Sequence, residues 1–206
     1  MTQIERSEKV FCMKVFLIIL VLLLSFQSFT KSDDNIRDFQ IEGMSIGDSA
    51  LNYFTKEELK NALEIGKYKS DKFFYYFLEY KNSDIYEYLQ IHVKKNDSNL
   101  IIYGVEGHII YSENINECYN KMDSVKLDMD KSFNVKSQRD TGKHPVDVTG
   151  ESTYSRIMYQ LQNKRGYAEI ICYNFSKKKE REGMYDRFVI SLGTNELLDW
   201  LSNEAY

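Results

Sequence analysis

Residues 73–111 read FFYYFLEYKNSDIYEYLQIHVKKNDSNLIIYGVEGHIIY. Three runs rich in aromatic and β-branched residues, 73–80, 85–93 and 100–111, are separated by Lys81-Asn82-Ser83-Asp84 and Lys95-Asn96-Asp97-Ser98-Asn99. Both separators are built from turn formers, which punctuate strands rather than helices. In the second run Leu89, Ile91 and Val93 alternate with Tyr88, Gln90 and His92, the period of a half-buried strand. Polar turns this short bring consecutive strands side by side, so the stretch predicts an antiparallel meander.

Downstream, Asn114 to Phe133 predicts the longest helix. Asn114 and Glu117 form a cap pair, and Ile115, Cys118, Tyr119, Met122, Val125, Met129 and Phe133 fall on one face,. A polar stretch, 135–151, holds Pro145 and predicts a long loop. Strand-like runs at 153–162 and 167–175 flank Asn163-Lys164-Arg165-Gly166 and predict a hairpin, with Ala168, Ile170 and Cys172 on one face. A charged loop, 177–183, leads to a strand at 185–192. Thr194 then caps a short helix carrying Leu197, Leu198, Trp200 and Leu201. Upstream, Ser45 with Asp48 and Thr55 with Glu58 pair as helix caps, predicting two short helices over 46–53 and 56–65 that end at Gly66. The order α-α-β-β-β-α-β-β-β-α clusters its strands in hairpins. It predicts one α+β domain over 31–206, with an antiparallel sheet of about six strands, two short N-terminal helices, one long central helix and a short C-terminal helix.

Further upstream, Val15 to Leu24 is unbroken apolar sequence, with Lys14, Lys9 and Arg6 before it and Ser25, Gln27 and Ser28 after it. A positive region, an apolar run and small polar residues are the parts of a secretory signal peptide. The run falls short of the roughly 20 residues a spanning helix needs. Residues 1–30 are therefore expected to be a signal peptide, with Met13 the economical start and cleavage after Ser25 or Thr30. The expected location is the periplasm or the medium, and a retained segment would be the only membrane contact. Cys12 precedes the apolar run, which speaks against a lipoprotein.

Export changes how the cysteines are read. Cys118 and Cys172 both follow the signal; in an oxidising compartment such a pair invites a disulfide, and the alternative is two buried thiols packed as small hydrophobes. Two isolated cysteines do not make a zinc site. The formal net charge of −4 and the lack of a basic stripe argue against nucleic acid, which demands clustered Lys and Arg.

No motif assigns a reaction. Gly43-Met44-Ser45-Ile46-Gly47 matches the nucleophile-elbow pattern, but that device belongs to a parallel strand–turn–helix setting, and capping explains the serine as well. His92, His108 and His144 lack metal-ligand spacing, although the first two fall on adjacent predicted strands and could share a site. Asp123, Asp128 and Asp130 lie on the long helix, without the loop and glycine of a calcium site. Catalytic, metal-binding and cofactor-binding residues are accordingly expected to be none. Tyrosine crowds both faces of the meander, and its large contact area at low entropy suits recognition, although tyrosine also favours strands for packing reasons alone. Tyr86, Tyr88, His92, Tyr103 and His108 are the candidate binding surface. Two functions compete: an exported binder of a protein or envelope component, and a small secreted hydrolase using carboxylates or a histidine. A third reading is a membrane-tethered structural protein. A deep pocket with perturbed titratable groups near His92 or His108 favours the enzyme; a shallow tyrosine face favours the binder.

Phe39-Gln40-Ile41-Glu42-Gly43-Met44-Ser45, with the predicted helix running on to Phe54, resembles the entry motif of the SmpA/OmlA-type small envelope lipoproteins. The shared pattern is Ile-x-x-Gly-Met-Ser. The family's Leu-Gly-x-Pro is replaced by Asn52-Tyr53-Phe54-Thr55, and 112–206 lies outside the resemblance. The resemblance implies two helices packed on a three-stranded antiparallel sheet over 39–111, and an envelope protein that works by binding. It carries over no functional residue.

Overall fold

The protein is described by a computed structural model covering residues 35–205 except 65–67, 82, 113 and 162–165. The expected signal peptide, its start and its cleavage site, the cap at Gly66 and most of the turn at 163–166 lie outside the described residues. Eight strands form one sheet: β1 (Leu63–Glu64), β2 (Phe73–Glu79), β3 (Tyr88–Lys94), β4 (Ile102–Ile110), β5 (Gln138–Lys143), β6 (Thr153–Gln160), β7 (Tyr167–Asn174) and β8 (Arg187–Gly193). Their order is β1-β2-β3-β4-β8-β7-β6-β5, and every neighbouring pair is antiparallel. Two meanders of four strands thus meet at a β4–β8 seam. Each meander forms from local hairpins, whereas the seam joins residues far apart in sequence.

The helices are α1 (Lys56–Asn61), α2 (Ile115–Ser132), α3 (Lys177–Arg181) and α4 (Asn195–Asn203). The α+β class, the antiparallel sheet, the long central helix and the C-terminal helix follow the sequence reading. Four details differ. The second N-terminal helix ends at Asn61, and Leu63–Glu64, expected as its last turn, pair with β2 as β1. The first N-terminal helix is only a 3-10 turn, Ala50–Asn52, capped by Ser49; Gly43 and Gly47 adopt positive φ of 79° and 96°, so the chain before it turns instead of coiling. Strand β5 runs through the predicted polar loop. It lies at the sheet edge and buries none of its residues, so it shows no apolar alternation. The charged loop after β7 contains α3, capped by Ser176.

One face of the sheet carries the main core. Leu89, Ile91, Val105, Ile157, Ala168, Ile170, Cys172, Phe188 and Leu192 are buried there with Cys118, Met122 and Met129 of α2. Cys118 and Cys172 form a disulfide with Cα atoms 6.0 Å apart, tying α2 to β7. The segment 36–54 closes the same core with Ile36, Ile41, Met44, Ile46 and Ala50. It is held by the Gly47 amide on the Ile102 carbonyl at 2.9 Å and the Ala50 amide on the Leu100 carbonyl at 2.9 Å. On the opposite face α4 covers one end, burying Leu197 and Trp200 against Phe73. The Trp200 indole donates to Ser70 Oγ at 3.0 Å. Gly104 lets α4 approach, since a Cβ there would collide with Leu197 and His92.

Candidate functional site

Strand alternation makes the second face of the sheet polar at its centre. Glu106 and His108 are two apart on β4, as are Gln90 and His92 on β3, so all four project from one face. The register sets Gln90 opposite Glu106, Glu106 opposite Ser191 and Ser191 opposite Glu169. A row of four polar residues therefore crosses β3, β4, β8 and β7. His92 and His108 flank it, and Arg187 and Tyr173 are paired further along.

These side chains line a cavity of about 310 Å³. One end is walled by Tyr68, Tyr75 and Leu201, the other by His144, Val146, Phe175 and Met184. The three histidines, scattered in sequence, thus converge on one space. His144 is set by a loop whose hub is Asp147: its carboxylate accepts from the Ser152 amide and hydroxyl, from the Thr149 amide and hydroxyl and from Ser176 Oγ. Those bonds, from Ser152 and then Thr149, hold the Asp147 carboxyl well below its ordinary range. The His144 ring packs 4.9 Å from Tyr173 and 5.0 Å from Phe175. Burial, helped by the Arg187 charge, lowers its pKa to about 4.

Glu106 is the anchor of the site. Its two oxygens face two imidazoles, His92 Nε2 at 3.1 Å and His108 Nε2 at 3.2 Å. The first contact is a hydrogen bond; the second is off line for one, so His108 Nε2 keeps no full partner. Burial pushes the Glu106 carboxyl up, but the contacts from His108 and His92 outweigh it and the group is held well below its ordinary range. An ionised Glu106 accepts, so the proton sits on His92 Nε2. Gln90 Nε2 lies 2.8 Å from that same nitrogen; with the proton on His92 Nε2 the amide is assigned the other way round, its oxygen accepting. In the neutral imidazole this tautomer leaves Nδ1 as an acceptor. Burial lowers the pKa of His108, against the pull of Glu106.

Glu169 behaves oppositely. Burial raises it to about 7, against the Arg156 charge and with help from Glu106. Its Oε2 lies 3.8 Å from Arg156 Nη1, too far for a hydrogen bond, because Arg156 is engaged by Asp140 through Nε at 2.9 Å and Nη2 at 3.0 Å. Six buried polar atoms lack a hydrogen-bond partner among the described residues: His92 Nδ1, His108 Nδ1 and Nε2, Glu169 Oε2, Arg187 Nε and Ser191 Oγ. All belong to residues lining this cavity. The guanidinium of Arg187 lies 5.5 Å from the Tyr173 ring and 5.4 Å from the Phe175 ring. Ser191 Oγ stands close enough to the Tyr167 hydroxyl to offset part of that group's upward shift.

Of the five residues proposed as a binding surface, the structure brings His92 and His108 together, 1 % and 2 % exposed. Tyr88 sits beside them, stacked on Phe77 at 5.1 Å. Tyr103 instead belongs to the α4 core, under Lys94 at 4.5 Å. Tyr86 packs over Gly107, whose Cβ position lies 2.7 Å from its ring, on the side of Leu89. The five therefore form no single surface. Ser45 lies in a turn between the Ile41–Met44 bridge and Ser49, and its hydroxyl donates to the Phe39 carbonyl at 3.4 Å, which is no nucleophile elbow. Among the described residues no cluster of three His, Cys, Asp or Glu could hold a metal ion. Asp123, Asp128 and Asp130 are engaged by Arg139, Lys131 and Lys126. Glu106, Glu169, Ser191 and Arg187 went unread in the sequence. Their signals are a Glu-x-His within VEGHII and a lone glutamate inside the apolar run YAEIICY. Comparison of the chain with protein-family models, curated proteins and solved structures finds no match in any of the three.

Proposed function

We propose that this is an exported binding protein that takes a small polar molecule in the cavity on the second face of its sheet. The observation that carries this reading is the convergence on one cavity of six buried polar atoms that lack a hydrogen-bond partner among the described residues. Each such atom costs about 1–3 kcal/mol while unpaired, and ordered water or a ligand supplies the missing bonds. The floor residues sit on strands paired on both sides, which is how a preorganised site lowers the cost of binding. Export is supported by the signal-like segment at 1–30 and, more weakly, by the Cys118–Cys172 disulfide, since such bonds persist in oxidising compartments. The resemblance at 39–54 points to the same compartment. The test is a thermal-shift screen of the purified, oxidised protein against compact cationic, anionic and neutral polar compounds. Stabilisation by one class, lost in His108→Ala, is expected. Stabilisation by none, together with capture of a protein partner from envelope extract, would return the reading to a protein-binding module.

A second reading has its own observation. Glu106 and Glu169 share the cavity with their pKa values displaced in opposite directions, the division of labour seen where one carboxyl serves as base and the other as acid. A secreted hydrolase would use Glu169 to protonate the leaving group. Turnover of a model substrate with a bell-shaped pH profile, abolished in Glu169→Gln, would establish it; compounds that bind without being consumed would exclude it.

A further inference from the structure

Resting on the binding reading above, we infer that the cavity's ligand is a small organic cation, with a primary ammonium or similar group seated between Glu106 and Glu169 above Ser191. The inventory of the floor points there. His92 Nδ1, in the tautomer fixed by Glu106, and the ionised Glu169 carboxyl are acceptors, His108 offers one acceptor and one donor nitrogen, Ser191 Oγ can act either way, and Arg187 Nε donates; the unshared acceptors outnumber the donors,. An acceptor-rich floor selects a donor-rich guest, and an ammonium offers three donors.

The spacing agrees. Glu106 and Glu169 each pair with Ser191 from opposite sides, so two strand spacings of about 4.8 Å separate their backbones. Backbones roughly 10 Å apart leave room between the two carboxylates for one nitrogen with charge-assisted bonds of about 2.8 Å to each, and the Glu106 charge is already felt at Glu169. The charge agrees too. Arg187 lies four residues along β8 from Ser191, over Tyr173 and Phe175, and Arg156 is committed to Asp140. The centre of the floor therefore lacks a cation of its own. Tyr68 and Tyr75 line the near end, where aromatic side chains suit the organic part of such a guest.

The guest would bind the ionised form of Glu169, so binding must fall as that carboxyl takes up a proton. The charged and titratable groups around it are Arg156 and Tyr154 on β6, Asp140 on β5, Glu106 and His108 on β4, Tyr167 and Tyr173 on β7 and Arg187 on β8. Arg156 is shared with Asp140, and Arg187 stands off over Tyr173 and Phe175, so neither takes the ligand's place beside Ser191.

The experiment is calorimetric titration of the full oxidised protein with benzylamine, benzyl alcohol and benzoate, a set matched in shape and differing in charge, at pH 6, 7 and 8. Benzylammonium is expected to bind most tightly at pH 8 and to weaken about fivefold from pH 7 to pH 6. Glu169→Gln should lose at least about tenfold in affinity and all of that pH dependence. The pH profile of the unaltered protein stands as a test even where the variant folds poorly. Tighter binding of benzyl alcohol or benzoate, or benzylammonium binding that ignores both pH and Glu169, would overturn the cation while leaving the binding cavity standing. Binding of none of the three would overturn the cation as well, with the broader screen left to judge the cavity itself.

Discussion

At the scale of single residues, the protein keeps a carboxyl where burial penalises its charge. Glu169 titrates at about 7 in the folded chain against 4.5 in the unfolded one. A raised carboxyl means the folded state holds the proton longer. The stabilising contribution is complete below pH 4.5 and is lost as pH climbs through 7, a loss of roughly 3 kcal/mol by that point. Glu169→Gln keeps the shape and removes the charge. Its melting temperature is expected to exceed that of the unaltered protein at pH 8, with little difference at pH 5; equal shifts at both pH values would show that the carboxyl is not the source. His144 runs the other way. Its pKa, lowered to about 4, adds stability that is complete above 6.5 and lost as pH falls toward 4. These two residues show why the site was hard to read: a histidine in a polar loop and a glutamate in an apolar strand carry no shared spacing, and only the fold sets them in one cavity.

At the scale of elements, two devices fix what covers each face. The disulfide pins α2 to β7 across a sequence separation of 54 residues. Closing a loop of that length removes about 4 kcal/mol of unfolded-chain entropy in the loop-closure account. Paired Cys118→Ala and Cys172→Ala substitutions are therefore expected to lower unfolding free energy by a few kcal/mol in denaturant titrations; an unchanged midpoint would show that the packing of Met122 and Met129 holds the helix unaided. On the other face, Gly104 admits α4. Gly104→Ala places a methyl against Leu197 and the His92 ring, so either α4 shifts or the core strains, costing about 1–3 kcal/mol. Near-ultraviolet circular dichroism of Trp200 should report the displaced helix, and an unaltered spectrum with full stability would count against close packing at that point. Elements with apolar periodicity, such as β3 and α2, were legible from sequence. The edge strand β5 was not, because solvent on both sides asks for no alternation.

At the scale of the whole molecule, the proposed export is tested by the chain's processing. The exported fraction should carry a mature N-terminus just after Ser25 or Thr30, measured by intact mass, and a chain retaining residues 13–24 would support the tethered alternative. The α+β class, the hairpins and the long helix were determined by sequence alone, because hydrophobic period and turn chemistry are local and act within a few residues. Cys118 and Cys172 were also placed on apolar faces by that period, which left their bond open. The seam between β4 and β8 was decided only by tertiary structure. It pairs Glu106 with Ser191, residues 85 apart in number, and Ser191 in turn with Glu169. A polar residue on a strand reads locally as solvent-facing. Whether it faces solvent depends on which strand lies beside it and which loop closes over it, and those partners come from the other half of the chain.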